Sequence, residues 1–193
     1  MRVTTMVTMA TLAVSAPAEG LGGQAAPTVV VYVQEDGGVP PLVLLRAQSV
    51  AAGMFAGIGI HLKWQSGKPR RGKGAGEIIG LRFDFGAPSS VSSGAMAYAT
   101  PMKGSGISIH ILYERVRDVG SANLAPVLLG HIMAHEITHV LQGQTRHSPE
   151  GLMKAHWDHD DFHQMALGPL PFATLDVELL RFHMARRAAG IAP

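Results

Sequence analysis

The chain has 193 residues, of which 47% are hydrophobic and 16% charged, and its formal net charge is +2 at pH 7. This length and hydrophobic content suffice for one domain with a sizeable core but not for two. The basic run at 68–73 contains glycine and proline and no aromatic residue, as in a solvated loop, so nucleic-acid binding is not expected. The absence of cysteine excludes disulfides and a thiolate zinc site.

The amino-terminal segment has the pattern of a weak signal peptide. Arg2 precedes an uncharged stretch at 3–16, and Ala16-Pro17-Ala18 offers a cleavage site of the A-x-A kind. We predict a signal peptide at 1–18, a linker at 19–26 and a single domain at 27–193, in a secreted or periplasmic protein. A disordered leader is the alternative. No later stretch reaches about 18 uninterrupted apolar residues, so no stable membrane insertion is expected after signal removal.

The next part of the chain reads as strands around one helix. An apolar strand is predicted at 28–33, and a helix opens at Pro40-Pro41 and is closed by Gly57 and Gly59. Further strands are predicted at 60–64, 77–83, 94–100 and 107–113. The segment 94–100, which follows a serine-rich loop and is stopped by Pro101, is a candidate edge strand, whereas 107–113 alternates as a half-buried strand.

The segment 124–141 is predicted to form one buried helix, because it is apolar most of the way round at helical spacing. Ser121 or Asn123 can cap the helix, and Pro126 falls in its first turn, where a missing N–H does little harm. Gly143 supplies a stop. Such a helix belongs in the core of the domain.

This helix carries the pentapeptide His135-Glu136-Ile137-Thr138-His139. Histidines four apart lie on one face of a helix, about 40° apart around its axis, so both can bind one metal ion. The glutamate projects to the side of that face, where it can take a proton from a metal-bound water. Two core or surface histidines and a solvated glutamate are the alternative, although unpaired polar groups on so apolar a helix are costly. The pattern predicts a zinc (Zn2+) site with Glu136 as general base.

Gly143, His147 and Met153 follow the helix in quick succession. Here the chain resembles the metzincin superfamily of zinc endopeptidases, whose pattern H-E-x-x-H-x-x-G-x-x-H is followed by a tight turn that contains methionine. Gly143 lies four and His147 eight residues after His139, where the pattern has three and six. The resemblance implies that His147 is the third zinc ligand and that Met153 is the methionine of the Met-turn.

Other side chains compete for the third ligand position. Carboxylates fill it in other H-E-x-x-H enzymes, and the candidates here are Glu150, Asp158, Asp160 and Asp161. The polar segment that holds the three aspartates reads equally as the start of a helix. His131 lies one turn before His135, but three turns of a helix cannot all wrap one ion, so a core role is expected for it.

Two further features concern the substrate. Some metzincins have a tyrosine two residues after the methionine; Ala155 stands there, so the nearest candidate for a transition-state donor is His156. The small side chains of the predicted edge strand leave its backbone approachable by an extended peptide, by strand addition. We therefore predict substrate contacts at Gly94, Ala95, Met96, Ala97 and Tyr98. A tightly packed interior strand is the alternative.

Pro169 and Pro171 precede a last predicted helix at 175–188, capped by Thr174. The predicted order β-α-β-β-β-β-α-turn-α agrees with an α+β, zincin-like fold. It comprises a small mixed twisted sheet with an antiparallel edge strand, a central zinc-binding helix, a Met-turn and a C-terminal helix. The predicted function is a secreted zinc peptidase acting on a peptide or protein substrate. A non-catalytic zinc- or peptide-binding module on the same fold is the alternative.

Overall fold

The computed structural model describes residues 26–34, 38–68, 78–102, 106–119 and 123–190. The predicted signal peptide, nearly all of the linker and most of the basic run lie outside the described residues. The described residues form β1 (Thr28–Gln34), α1 (Pro41–Gly57), β2 (His61–Ser66), β3 (Ile79–Phe83), β4 (Ala97–Pro101), β5 (Ile107–Ile111), α2 (Tyr113–Val119), α3 (Ala125–Gln142), α4 (His159–Leu167) and α5 (Thr174–Ala188).

The five strands form one mixed sheet in the order β2-β1-β3-β5-β4. β1 pairs in parallel with β2 and β3, and β3 pairs in parallel with β5. β4 lies at the edge and is antiparallel to β5. Alternate residues of β1 (Val29, Val31, Val33) are buried, as the pleat of a strand requires. The predicted mixed sheet with an antiparallel edge strand is confirmed.

The core lies between the sheet and the two long helices, α1 and α3, which pack closely together. Gly130 makes that approach possible: a Cβ at this position would lie 2.7 Å from Val50 Cβ and 2.8 Å from the carbonyl oxygen of Ala47. Fully buried side chains such as Leu128, Ile137 and Leu81 fill the space beneath. The predicted central helix is therefore present and has buried residues on all of its faces.

Two helices are absent from the predicted order. β5 ends at Ile111, and α2 begins at Tyr113, which was predicted to continue the strand. Tyr113 fits the alternating pattern of the strand because its side chain is buried, and its ring lies edge-on to Phe83 with the centroids 6.5 Å apart. α4 begins after Asp158, which caps it by accepting hydrogen bonds from the Asp160 and Asp161 backbone N–H groups. That region is therefore a polar helix start.

The helix ends show which predicted caps form. Pro126 lies in the first turn of α3, and Gly143 ends it in a left-handed conformation at φ +62°, as predicted. The residue at the N-cap is Leu124, without a side-chain cap, so the predicted Asn123 cap is wrong, and Ser121 lies outside the described residues. Thr174 is likewise the first residue of α5 rather than its cap: Ala173 is at the N-cap, and its carbonyl accepts hydrogen bonds from the Asp176 and Val177 N–H groups. Over the described residues, no helix is long and apolar enough to cross a membrane.

Candidate metal centre and active-site cleft

Three histidines come together where α3 ends. The last two turns of α3 hold His135, which is buried, and His139, which is half-buried. The chain reverses at Gly143 and returns His147, whose ring centroid lies 5.4 Å from that of His135 and 4.9 Å from that of His139. The metal-binding atoms of the three residues lie within 4.8 Å of one another. No other group of three His, Asp or Glu residues in the described part of the chain is placed to hold a metal ion.

Two of these imidazoles have a fixed orientation. The Nδ1–H of His135 donates to the Leu152 carbonyl, and that of His139 donates to the Gln144 carbonyl, each at 2.9 Å. Both Nε2 atoms then present lone pairs, and they face each other at 2.9 Å. Two lone pairs at this distance repel each other unless a proton or a cation lies between them. The ring nitrogens are therefore oriented as ligands.

The environment of the three imidazole rings disfavours their protonation. Burial, together with the neighbouring His139 and His147, lowers the pKa of His135 to about 4, against the opposing effect of the hydrogen bond to Leu152. Burial also lowers the pKa values of His139 and His147 below the usual 6.5. Neutral imidazole is the form that binds zinc, and two nitrogens on one tetrahedral zinc are about 3.3 Å apart. The residues present fit a zinc ion.

Glu136 is the fourth functional group of this centre. Burial alone raises the pKa of its carboxyl to about 7. Among the described residues it has no hydrogen-bond or ion-pair partner. Its side chain instead lines a cleft of about 420 Å³ together with His135 and His147. A carboxyl group that is placed in this way can exchange a proton with a molecule in the cleft.

The same cleft is lined by His156, which is exposed, and by four of the five residues predicted to contact substrate: Gly94, Ala95, Met96 and Ala97. Tyr98 is not among the lining residues. Its hydroxyl donates to Asp84 at 2.8 Å, and its ring stacks on His110 with the centroids 4.6 Å apart. The structure thus brings the predicted donor and most of the predicted substrate segment to the histidine group, and leaves Tyr98 in a separate contact.

The edge strand is shorter than predicted, since β4 begins at Ala97 and not at Gly94. The residues before it form a turn in which Ala95 N–H donates to the Ser92 carbonyl. The guanidinium of Arg115, from α2, holds this turn by donating to the Ser92 carbonyl at 2.9 Å and to the Ala95 carbonyl at 2.6 Å. The backbone of residues 92–95 is therefore committed to the turn and does not extend the sheet.

β4 pairs with β5 alone over the described residues, so its other side is open. Leu112 N–H donates to the Met96 carbonyl, and Met102 N–H donates to the Gly106 carbonyl. These bonds show that the even-numbered residues of β4 form the hydrogen-bonded pairs with β5. Since bonded and non-bonded pairs alternate in an antiparallel ladder, Ala97 and Ala99 direct their N–H and C=O groups away from β5.

A tight turn beneath the histidines contains the predicted Met-turn methionine. Gly151 adopts φ +70°, and a Cβ there would lie 2.3 Å from the carbonyl oxygen of Pro171, so only glycine fits. Leu152 N–H donates to that same carbonyl at 2.8 Å. Met153 is fully buried, and its own carbonyl accepts from Ser148 N–H at 2.7 Å. The turn therefore supports the loop that carries His147.

None of the competing carboxylates belongs to the histidine group. Asp158 and Asp161 cap α4 and accept hydrogen bonds from Lys154 Nζ at 2.7 and 2.5 Å. Asp160 and Glu150 are exposed and lie outside the histidine group.

The earlier histidine of α3, His131, is fully buried. Its Nδ1–H donates to the Val127 carbonyl, and its Nε2 accepts from Leu170 N–H. These bonds agree with the expected core role.

Sequence reasoning missed Trp157. Its Nε1–H donates to the Leu152 carbonyl at 3.2 Å, the same oxygen that fixes His135, and its ring lies edge-on to His135 at 5.6 Å. It also lines the cleft. A tryptophan directly after His156 was the available signal. Arg115 gave no such signal, because its partners, Ser92 and Ala95, are 23 and 20 positions away in the sequence.

Comparison with known proteins gives a structural relative of this fold. No family model matches the chain, and no curated protein matches it. The crystal structure of archaemetzincin from Methanopyrus kandleri is similar, with a TM-score of 0.50, covering 86% of this chain and 99% of that one. The chain has a metzincin-like fold. Sequence identity to this structure is 14%, so the similarity concerns the fold alone. The predicted fold class is confirmed.

Proposed function

We propose that this protein is an exported zinc-dependent peptidase whose metal ion is held by His135, His139 and His147. The observation that carries the proposal is the convergence of three neutral imidazoles beside the unpaired carboxyl of Glu136. The metzincin-like fold supports it, since zinc peptidases are the function that the name of this fold implies.

The residues divide the chemistry among them. A bound zinc ion would supply Lewis acidity, polarising a substrate carbonyl and lowering the pKa of a water molecule. Glu136 takes the proton of the attacking water and delivers it to the leaving amine. His156, on the same cleft, donates a hydrogen bond to the oxygen on which negative charge develops.

The substrate is proposed to be an extended peptide that pairs with β4. Ala97 and Ala99 offer outward N–H and C=O groups with almost no side chain in the way. The wall of the cleft beside Glu136 includes Ile132, Trp157 and Phe162, which favour an apolar substrate side chain.

A non-catalytic zinc module is the competing function, and Glu136 separates the two. Structural zinc sites close with a fourth protein ligand and have no use for a base. Here three donors converge, and the carboxyl beside them lines an open cleft. The arrangement favours catalysis.

The deciding experiment is digestion of a mixed peptide library by the zinc-loaded protein, with new termini identified by mass spectrometry. Cleavage should stop when a chelator is added and return with zinc. Glu136→Gln protein, prepared in parallel, controls for contaminating proteases. A zinc-loaded, folded protein that cleaves no peptide would overturn the catalytic proposal. Export is tested separately, by the location of the chain expressed with residues 1–18 and without them.

A further inference from the structure

The two residues that flank His147 share one buried carboxylate. Ser148 Oγ donates to both oxygens of Asp176, each at 2.8 Å, and Arg146 Nη2 forms an ion pair with Asp176 Oδ1. Arg146 Nη2 also donates to Ser148 Oγ at 3.1 Å, and its Nη1 donates to the His147 carbonyl at 3.2 Å. Asp176 is completely buried in the first turn of α5.

His147 needs such support more than the other two histidines do. The rings of His135 and His139 are each fixed by a hydrogen bond from Nδ1 to a carbonyl. The ring of His147 is exposed and has no hydrogen bond among the described residues. Its orientation therefore depends on the backbone of a loop that is two residues longer than the metzincin pattern has.

Asp176 fixes that backbone from one side, and the Met-turn fixes it from the other. Ser148 N–H donates to the Met153 carbonyl at 2.7 Å, so both the N–H and the hydroxyl of Ser148 are engaged. The carbonyl of Asp176 also accepts from Gln142 Nε2 at 3.2 Å, which joins α5 to the end of α3. The loop thus runs between two anchored residues, Gln142 at the end of α3 and Ser148. His147 lies directly before Ser148.

We propose that Asp176 is the positioning residue of the third metal ligand, acting on His147 through Ser148 and Arg146. The inference rests on the proposed metal site. It assigns to α5 a role in metal binding, since a residue 29 positions after His147 holds the loop in the geometry that the ion requires.

The test is zinc affinity of the folded protein, measured by competition with a chromophoric chelator. Outer partners of metal ligands typically contribute 10- to 100-fold to affinity, so Asp176→Asn should weaken binding by about that factor. The visible spectrum of the cobalt-substituted Asp176→Asn variant should differ from that of cobalt-substituted wild type. Asp84→Asn is the matched control, because Asp84 also accepts hydrogen bonds from several donors but lies outside the histidine group. It should reduce stability and leave zinc affinity unchanged.

A double variant separates positioning from general destabilisation. In the His147→Ala background, Asp176→Asn should cause no further loss of affinity, because the ligand it positions is gone. Additive losses would overturn the inference. Should Asp176→Asn fail to fold, Ser148→Ala removes one contact at lower cost to the core and should weaken zinc binding in the same, His147-dependent way.

The outcomes distinguish this inference from the proposed function. If wild-type protein binds no zinc, or His147→Ala does not weaken binding, the three-histidine site itself fails and the inference falls with it. If His147→Ala weakens binding while folded Asp176→Asn and Ser148→Ala both bind like wild type, the inference alone is overturned.

Discussion

The Nε2 atoms of His135 and His139 face each other at 2.9 Å because both Nδ1 atoms donate to backbone carbonyls. Each imidazole is thereby held in the tautomer that leaves its lone pair directed at the other. Burial lowers the pKa of both rings, so protonation does not relieve the repulsion near neutral pH. The packing of the core keeps the two nitrogens together in spite of this repulsion. A cation bound between them would remove the repulsion and so lower the free energy of the folded state.

Zinc should therefore stabilise the protein against heat. A ligand that binds only the folded state, present at 1,000 times its dissociation constant, adds about 4 kcal/mol to the unfolding free energy. Calorimetry with zinc and with excess chelator should show a higher midpoint with zinc. The variant in which His135 and His139 are both alanine is the control, and it should melt at the same temperature in both conditions. An equal gain in that variant would place the zinc elsewhere.

Glu136→Gln should abolish turnover while leaving fold and zinc content intact. The amide keeps the shape of the side chain but cannot take a proton, and general-base catalysis contributes about 10²-fold or more. The measurements are kcat/KM on a peptide substrate and zinc stoichiometry on the same preparation. Glu150→Gln is the matched control, since Glu150 is exposed and outside the histidine group, and it should behave as wild type. Near-normal turnover by zinc-loaded Glu136→Gln would remove the assignment.

The parts of the fold that the sequence predicted well have strong local signals. α3 was predicted within one residue at each end, because its apolar periodicity is long and Gly143 ends it in a conformation that glycine favours. α2 was missed because seven residues give too little periodicity: only Tyr113 and Val116 are buried. The start of β4 was misplaced because the local sequence does not show that Arg115, from α2, holds residues 92–95 in a turn.

The candidate site divides in the same way. The spacing of His135, Glu136 and His139 is local to one helix, so the sequence alone placed them together. The residues that anchor the loop of His147 come from distant positions. Asp176 lies 29 residues beyond His147, in the first turn of α5, where acidic residues are common in any helix. Nothing in the sequence near either residue indicates that the two are joined through Ser148.

His147 and His156 should be separable by what each variant loses. His147→Ala should weaken zinc binding strongly, because it removes one of three ligands. His156→Ala should retain zinc and lower kcat, since its side chain lies on the cleft but outside the histidine group. Zinc competition and steady-state kinetics on both variants make the comparison. Loss of zinc from His156→Ala would show that the ligand set has been assigned wrongly.

Asp84 should make part of the stability depend on pH. Burial by itself would raise the pKa of its carboxyl, but hydrogen bonds from His110 and Tyr98, with the electrostatic effect of His110 and Arg82, outweigh burial and hold the pKa below the usual 3.8. Because the folded-state pKa is the lower one, this stabilisation is present above about pH 4 and is lost as the pH falls through the folded value. Asp84→Asn should cost about 1.5–3 kcal/mol at pH 7, the scale of hydrogen bonds to charged groups.

Urea unfolding at pH 7 and at pH 3 measures this effect, and the difference between wild type and Asp84→Asn should be smaller at pH 3. Asp118→Asn serves as the control, since the Asp118 side chain is 69% exposed and, within the described part of the chain, pairs only with the neighbouring Arg117, which is also exposed. Its unfolding free energy should match that of wild type at both pH values. A constant difference between wild type and Asp84→Asn across the pH range would contradict the role given to the carboxylate.

The open side of β4 should bind substrate through its backbone. The N–H of Ala97 points away from β5, so replacing it removes a donor to the peptide without breaking the sheet. Ala97→Pro should raise KM while kcat and the melting temperature change little, because only ground-state contacts along the strand are lost. Ala97→Ser retains the N–H and adds a side chain of similar size, and it should keep the wild-type KM. If Ala97→Pro and Ala97→Ser have equal KM values, the peptide does not pair with this strand, and the substrate must lie elsewhere on the cleft.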